Sequence, residues 1–274
     1  MKTMRKTMML LAAIALVILA TGVAGAKEPW EKIKIPELNP VQMPEYERVE
    51  LPNGMVLYLA EDDYLPMIEL SAQIMVGSLY DPAGKVGLAS MTGTVLRTGG
   101  AGERSGDDID FLVEARGMSV ETWVGQATGG AYLNCLTEDA DLGLELLADI
   151  LMRPQFAEEK IDLARSEQKA SISRRNDEPM QIAMTWAPKV LFGEDHPLAR
   201  TPEYDTVNAV TQADMQAFHA EYFHPDRMWL VVIGDFETAA MKQKIEAVFA
   251  DWPRSTTPVP ADPEIPSLPR TVNV

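Results

Sequence analysis

The chain has 274 residues, 46% hydrophobic and 24% charged, enough to bury a sizeable core without disulfide or metal staples. Forty-one Asp and Glu stand against 24 Lys and Arg, a formal charge of −17. That balance excludes nucleic acid as a partner and disfavours an anionic membrane surface.

Residues 1–26 read as a secretory signal peptide. They hold Lys2, Arg5 and Lys6, an apolar run from about Met8 to Ala20, and an A-x-A site at Ala24 to Ala26. The run is short for a membrane span, and no cysteine follows it to take a lipid. Cleavage would release the protein, without a membrane anchor, into a bacterial periplasm or the medium. Residues 27–46 are Pro-rich and read as an extended arm.

From Glu47 the pattern alternates, turns at Pro52-Asn53-Gly54 and alternates again to Asp63, a hairpin. Residues 66–82 predict a third long strand, with Ile68, Leu70, Ala72 and Ile74 on one face. A helix over about 86–97 follows, inside GLASMTGTVLRTGG. Ser105 caps a second helix with Asp108 three residues on, and Gly117 ends it. MSVETWVG and ATGGAYLNCLT predict an antiparallel strand pair. An amphipathic helix ending at Pro154 puts Leu142, Leu146, Leu147 and Ile150 on one face.

A long polar helix, AEEKIDLARSEQKASISRRND, carries a thin apolar stripe at Ile161, Ala164, Ala170 and Ile172. PMQIAMTWAPKVLFG is another helix, with Pro188 near its end. Thr211 and Asp214 predict a capping box. RMWLVVIGDF reads as a buried strand and ETAAMKQKIEAVFADWP as a closing helix. Residues 254–274 read as a Pro-rich linker to a second domain outside this chain, with RTVNV starting a strand that has nothing to pair with. The sum is an α+β domain over 47–253, an antiparallel or mixed sheet packed by helices.

Residues able to do chemistry are scattered. Cys135, the one cysteine, alternates with Leu133 and Leu136 and reads as a small buried apolar residue rather than a nucleophile. His196 falls in a loop. His219 and His224 are five apart on one helix, so they project about 140° apart and form no metal pair. A cap or surface role fits them. The carboxylates of AEEK and EDAD sit in first helical turns and read as solvated caps. TGGAGERSG lacks the Lys-Ser/Thr ending of a phosphate loop and reads as a connector. Met180, Met184 and Met215 fit helical packing rather than copper binding.

Several stretches, in shared order and spacing, resemble the first domain of the pitrilysin/insulinase-type peptidases. That family includes the mitochondrial processing peptidase and many bacterial periplasmic proteins. The stretches are ERVELPNGMVLYLAEDD, GLASMTGTVLRTGG, LGLELLADILMRPQFAEEKIDLARSEQ, ISRRNDEP, FGEDHPLARTPEYDTVNAVTQADMQAFHAEYFHPDRMWLVVIGDF and VFADWP. The resemblance runs from about Glu47 to Pro253 and implies a metallopeptidase-like α+β fold.

Active members of that family carry H-x-x-E-H directly after G-L-A. Positions i, i+3 and i+4 share one helical face, so two imidazoles bind zinc and the Glu acts as general base on a zinc-bound water. A Glu from the long polar helix is the third ligand. In this chain the motif positions hold Ser90, Gly93 and Thr94, and the third-ligand position falls on Ser171. These residues cannot complete a tetrahedral zinc set. The resemblance therefore implies no catalytic residues and no zinc or other cofactor.

Many bacterial members of the family work in pairs, one subunit carrying the zinc motif and the other shaping the closed chamber. The first reading is thus a non-catalytic subunit that helps enclose and bind peptide substrates, partnered by a zinc-motif-containing paralogous subunit. The alternative is a structural or peptide-binding scaffold with no peptidase role; an active zinc metalloendopeptidase ranks third. Gly93 costs roughly 0.8–1.0 kcal/mol relative to Ala inside a helix. Gly93→Ala is expected to stabilise the domain slightly unless another backbone packs there.

Overall fold

A computed structural model describes residues 44–259 and 261–267, together with Ile33, Pro36 and Pro40. The expected signal peptide, most of the expected arm and the final RTVNV lie outside the described residues.

The first strands, β1 (Glu47–Glu50) and β2 (Val56–Glu61), form the expected antiparallel hairpin. Asn53 fixes its turn: Oδ1 accepts the Met55 amide at 3.2 Å, and Nδ2 donates to the Phe249 carbonyl at 2.9 Å. Gly54 follows at a φ of +88°, where glycine meets no steric penalty. β3 (Met67–Ile74) buries Ile68, Leu70, Ala72 and Ile74 as its alternation predicts. It ends at Ile74 rather than running to Pro82. The chain instead passes so close to a neighbouring loop that a Cβ on Gly77 would stand 2.0 Å from the Gln126 carbonyl oxygen. Two short 3-10 turns, Ser78–Tyr80 and Ala83–Lys85, then carry it away from the sheet.

β4 (Ser119–Val124) and β5 (Gly129–Leu136) pair antiparallel as expected, and β6 is Met228–Gly234. The six strands lie in the order β1-β2-β6-β3-β5-β4. β6 runs parallel to β2 and antiparallel to β3, so the sheet is mixed. The helices are α1 (Leu88–Thr98), α2 (Gly106–Arg116), α3 (Ala140–Met152), α4 (Glu158–Arg174), α5 (Pro179–Phe192), α6 (Tyr204–Asn208), α7 (Gln212–Tyr222) and α8 (Thr238–Val248). α1 packs on β4, α3 on β5 and α8 on β2, closing the core over the face that carries Leu70, Leu133 and Val232. Fully burying each such side chain contributes about 1.5–3 kcal/mol.

Both expected capping boxes are present, at Ser105 with Asp108 and at Thr211 with Asp214. The short α6 has a third, Glu203 with Thr206, that the sequence reading passes over because its N-cap is a Glu. Cys135 is buried, and burial pushes its thiol up to about 11, which keeps it protonated and unreactive.

Four sequence expectations are corrected. Asp139 is not a solvated cap: it is buried at the start of α3 and pairs with Arg116 at 2.6 Å. His219 and His224 do not share a helix, because α7 stops at Tyr222. Of the two roles expected for His219, the surface one is not met: the side chain is half-buried and caps the last turn of α3. Its Nε2–H donates to the Leu151 carbonyl at 2.8 Å, with the ring stacked on Phe223. Finally, Met215 is packed in the core, but Met180 and Met184 on α5 are exposed.

The Pro-rich stretch after α8 is fastened to the domain over part of its length. Arg227, 1% exposed, is the anchor. Its Nη1 donates to the Glu221 carbonyl at 3.1 Å. Its Nη2 lies 2.7 Å from Ser255 Oγ, 2.8 Å from the Thr257 carbonyl and 3.2 Å from the Pro258 carbonyl. The Ser255 amide donates to Asp226 at 2.8 Å, and His196 Nε2 sits 3.0 Å from the Glu264 carbonyl.

Candidate functional site

The site to weigh is the face of α1 that carries Ser90, Gly93 and Thr94. The helix begins at Gly87, which has a φ of +109° and no side chain to cap with. Asp81 caps it instead, from six residues upstream. Oδ2 accepts the Gly87 amide at 2.8 Å and Oδ1 the Ala89 amide at 2.9 Å. Arg200 Nη1 donates to the Asp81 carbonyl at 3.1 Å. Burial pushes the Asp81 carboxyl up to about 6, against the lowering pull of the two amides and Arg200. Sequence reasoning missed Asp81 because a cap six residues ahead matches no local spacing rule.

The motif positions have other tasks here. Ser90 is half-buried, and its Oγ accepts from Gln168 Nε2 at 3.0 Å. Thr94 is exposed, and its hydroxyl donates to the Ser90 carbonyl at 3.2 Å, within its own helix. Gly93 is buried against β4. Its carbonyl accepts the Thr122 hydroxyl at 2.7 Å. A Cβ on Gly93 would stand 2.3 Å from the Val124 nitrogen and 2.7 Å from the Trp123 carbonyl carbon, both strand backbone. The slight stabilisation expected of Gly93→Ala is therefore reversed, because another backbone does pack there.

From α4, Gln168 reaches this face through its bond to Ser90. Ser171 lies three positions further along the same helix, exposed. No motif in the sequence singles out Gln168; its i−3 relation to Ser171 is the one available signal.

This donor set does not fit a zinc ion. Two hydroxyls already engaged in hydrogen bonds and a glycine without room for a side chain supply none of the imidazole, thiolate or carboxylate ligands that zinc takes. Among the described residues, no three His, Cys, Asp or Glu are grouped to hold a metal. Beside the site, α4 and α5 enclose an open hollow of about 700 Å³, lined by Gln168, Ser171, Arg174, Gln181 and Thr185. β4 ends the sheet, so its outer edge has no strand partner among the described residues.

The buried Asp81 and the half-buried His219 give opposite pH dependences. Burial lowers His219 to about 4, from an ordinary value of 6.5. Between those values the unfolded chain binds the extra proton, so this contribution is full above pH 6.5 and is lost as pH falls towards 4. Asp81 is raised from 3.8 to about 6, so its burial weighs against folding above pH 6 and is relieved as pH falls. The two largely offset each other in the wild type. Asp81→Asn removes one side of that balance. Between pH 6.5 and 4 it should lose roughly 3 kcal/mol more stability than wild type does. Urea unfolding at a series of pH values checks this; parallel curves for the two proteins would refute it.

The description Insulinase (Peptidase family M16) matches residues 58–195, and that of the peptidase M16 inactive domain matches residues 209–273. An uncharacterized zinc protease of Mycobacterium leprae is 25% identical over 195 residues, covering 69% of this chain and 43% of that protein. The mitochondrial-processing peptidase subunit beta of Saccharomyces cerevisiae is 22% identical over 229 residues, covering 80% of this chain and 47% of the subunit. Among solved structures, the peptidase M16 inactive domain from Pseudomonas fluorescens superposes with a TM-score of 0.74 at 22% identity. That match covers 81% of this chain and 54% of the other. The chain thus spans about half the length of the curated relatives it matches. On the match over residues 58–195, this chain belongs to the insulinase family of peptidases.

Proposed function

We propose that this chain is the non-catalytic subunit of an exported, heteromeric metallopeptidase, binding no zinc itself and helping to enclose peptide substrates. The observation that carries the reading is the backbone of β4 lying where a side chain on residue 93 would go. A general base there would force helix and strand apart, so the position now holds structure together instead of moving protons. What is left around it suits peptide handling. The outer edge of β4 offers backbone groups to an extended chain, and the hollow between α4 and α5 lies beside Gln168. The similar yeast protein is by its name one subunit of a peptidase, which supports a heteromeric reading. Export rests on the character of residues 1–26.

The test is co-expression with a paralogue that carries an intact H-x-x-E-H. The two should co-purify and together cleave unstructured peptides faster than either does alone, with activity lost to a chelator. If this chain alone holds one zinc per molecule and shows chelator-sensitive cleavage, the reading is wrong.

A further inference from the structure

Helix α5 is the most apolar exposed element among the described residues. It has 14 residues, and none of its side chains is buried. Met180 is 73% exposed, Met184 65%, Trp186 50% and Val190 76%. Its single charge, Lys189, sits over the Trp186 ring at 5.2 Å. A helix this short is marginal in water on its own, and Pro188 inside it removes a further backbone hydrogen bond. Most surface helices gain their stability by burying an apolar face, and α5 buries none within its own domain. Trp and Met without charge form the composition of an interface core, and a patch of this kind marks an interaction surface.

The charges around α5 select the occupant. Asp177 and Glu178 precede the helix and Glu194 and Asp195 follow it, all exposed; the exposed Arg174 offsets one of the two acids at the first end, and Arg175 is engaged with Glu203, so each end keeps a net acid. The surface is an apolar rod with an acidic group at each end. A second copy of this chain would set acid against acid in either orientation, between molecules that each carry −17. A lipid-binding helix needs a cationic polar face, and α5 has one Lys. A protein with an apolar trough flanked by Lys or Arg matches both features. Fourteen residues set the two basic groups about 20 Å apart.

We propose that α5 docks into such a trough on the zinc-motif subunit and is the principal attachment of this chain to it; this rests on the reading given under Proposed function. The test compares co-purification and affinity for that subunit. One variant carries Met184→Glu with Val190→Glu. A second carries Glu178→Lys with Glu194→Lys. Because all four side chains are exposed, both should melt like wild type. The first should weaken association by about tenfold or more. The second should weaken it more at low salt than at high salt.

If wild type never binds the zinc-motif subunit, the functional reading and this inference fail together. If wild type binds it and both variants bind equally well, this inference alone fails. It also fails if wild type dimerises by itself, or binds lipid vesicles, and the first variant does not.

Discussion

Gly93→Ala is expected to lower the stability of the domain by about 3 kcal/mol, read as a shift in urea or thermal unfolding. On helix propensity alone the change is favourable by roughly 1 kcal/mol. The geometry outweighs that gain. The new methyl would stand 2.3 Å from one strand backbone atom and 2.7 Å from another. Backbone cannot rotate aside as a long side chain does, so α1 and β4 must separate. Separation also pulls apart the Thr122 to Gly93 hydrogen bond and loosens Met91 and Val95, both fully buried in the core. Thr94→Ala, one residue along and exposed, should fall within about 0.5 kcal/mol of wild type. The same geometry forecasts that Ser90→His, Gly93→Glu and Thr94→His combined will not recreate an active zinc site, because the Glu that serves as general base has no space and position 171 still supplies no third ligand. A Gly93→Ala protein as stable as wild type would show that helix and strand are free to part.

Arg227→Met is expected to cost about 3 kcal/mol and to free the Pro-rich stretch from the domain. The guanidinium is buried, and among the described residues it has no carboxylate partner. Its worth lies in gathering carbonyl and hydroxyl groups from Glu221, Ser255, Thr257 and Pro258 that methionine cannot satisfy. Methionine keeps much of the volume, so the loss reports hydrogen bonding rather than a cavity. Trypsin supplies a direct readout, since Arg254 sits at the start of the fastened stretch. Cleavage after Arg254 should be several times faster in the variant under native conditions. Unchanged melting and unchanged cleavage would show that the stretch is held by other contacts.

Local pattern made most of the fold legible. The hairpin at Asn53-Gly54, the two capping boxes and the alternation of β3 all depend on residues close in sequence, and each is where the pattern puts it. The end of β3 was not legible, because it is set by a loop near Gln126 that no window around Gly77 contains. The candidate site divides in the same way. The face shared by Ser90, Gly93 and Thr94 follows from helical spacing, whereas the Asp81 cap, the Gln168 contact and the strand against Gly93 come from other elements. His219 and Asp139 read as solvated because their polarity is visible in sequence, while the neighbours that bury them are not.

The position of β6 governs how the domain can assemble. This strand is the last in sequence among the described residues yet lies between β2 and β3, with a hydrogen-bonded neighbour on each side. Until residues 228–234 exist and insert, the hairpin and the β3-β5-β4 group are two separate pieces with open inner edges. No partial product ending earlier has a continuous sheet, so the fold closes in one step across some 170 residues of sequence, as in the pairing of Val56 with Trp229. Such non-local closure is slow. A chain of this design stays open, and accessible to whatever handles unfolded polypeptide, until residue 234 has been made and β6 has inserted.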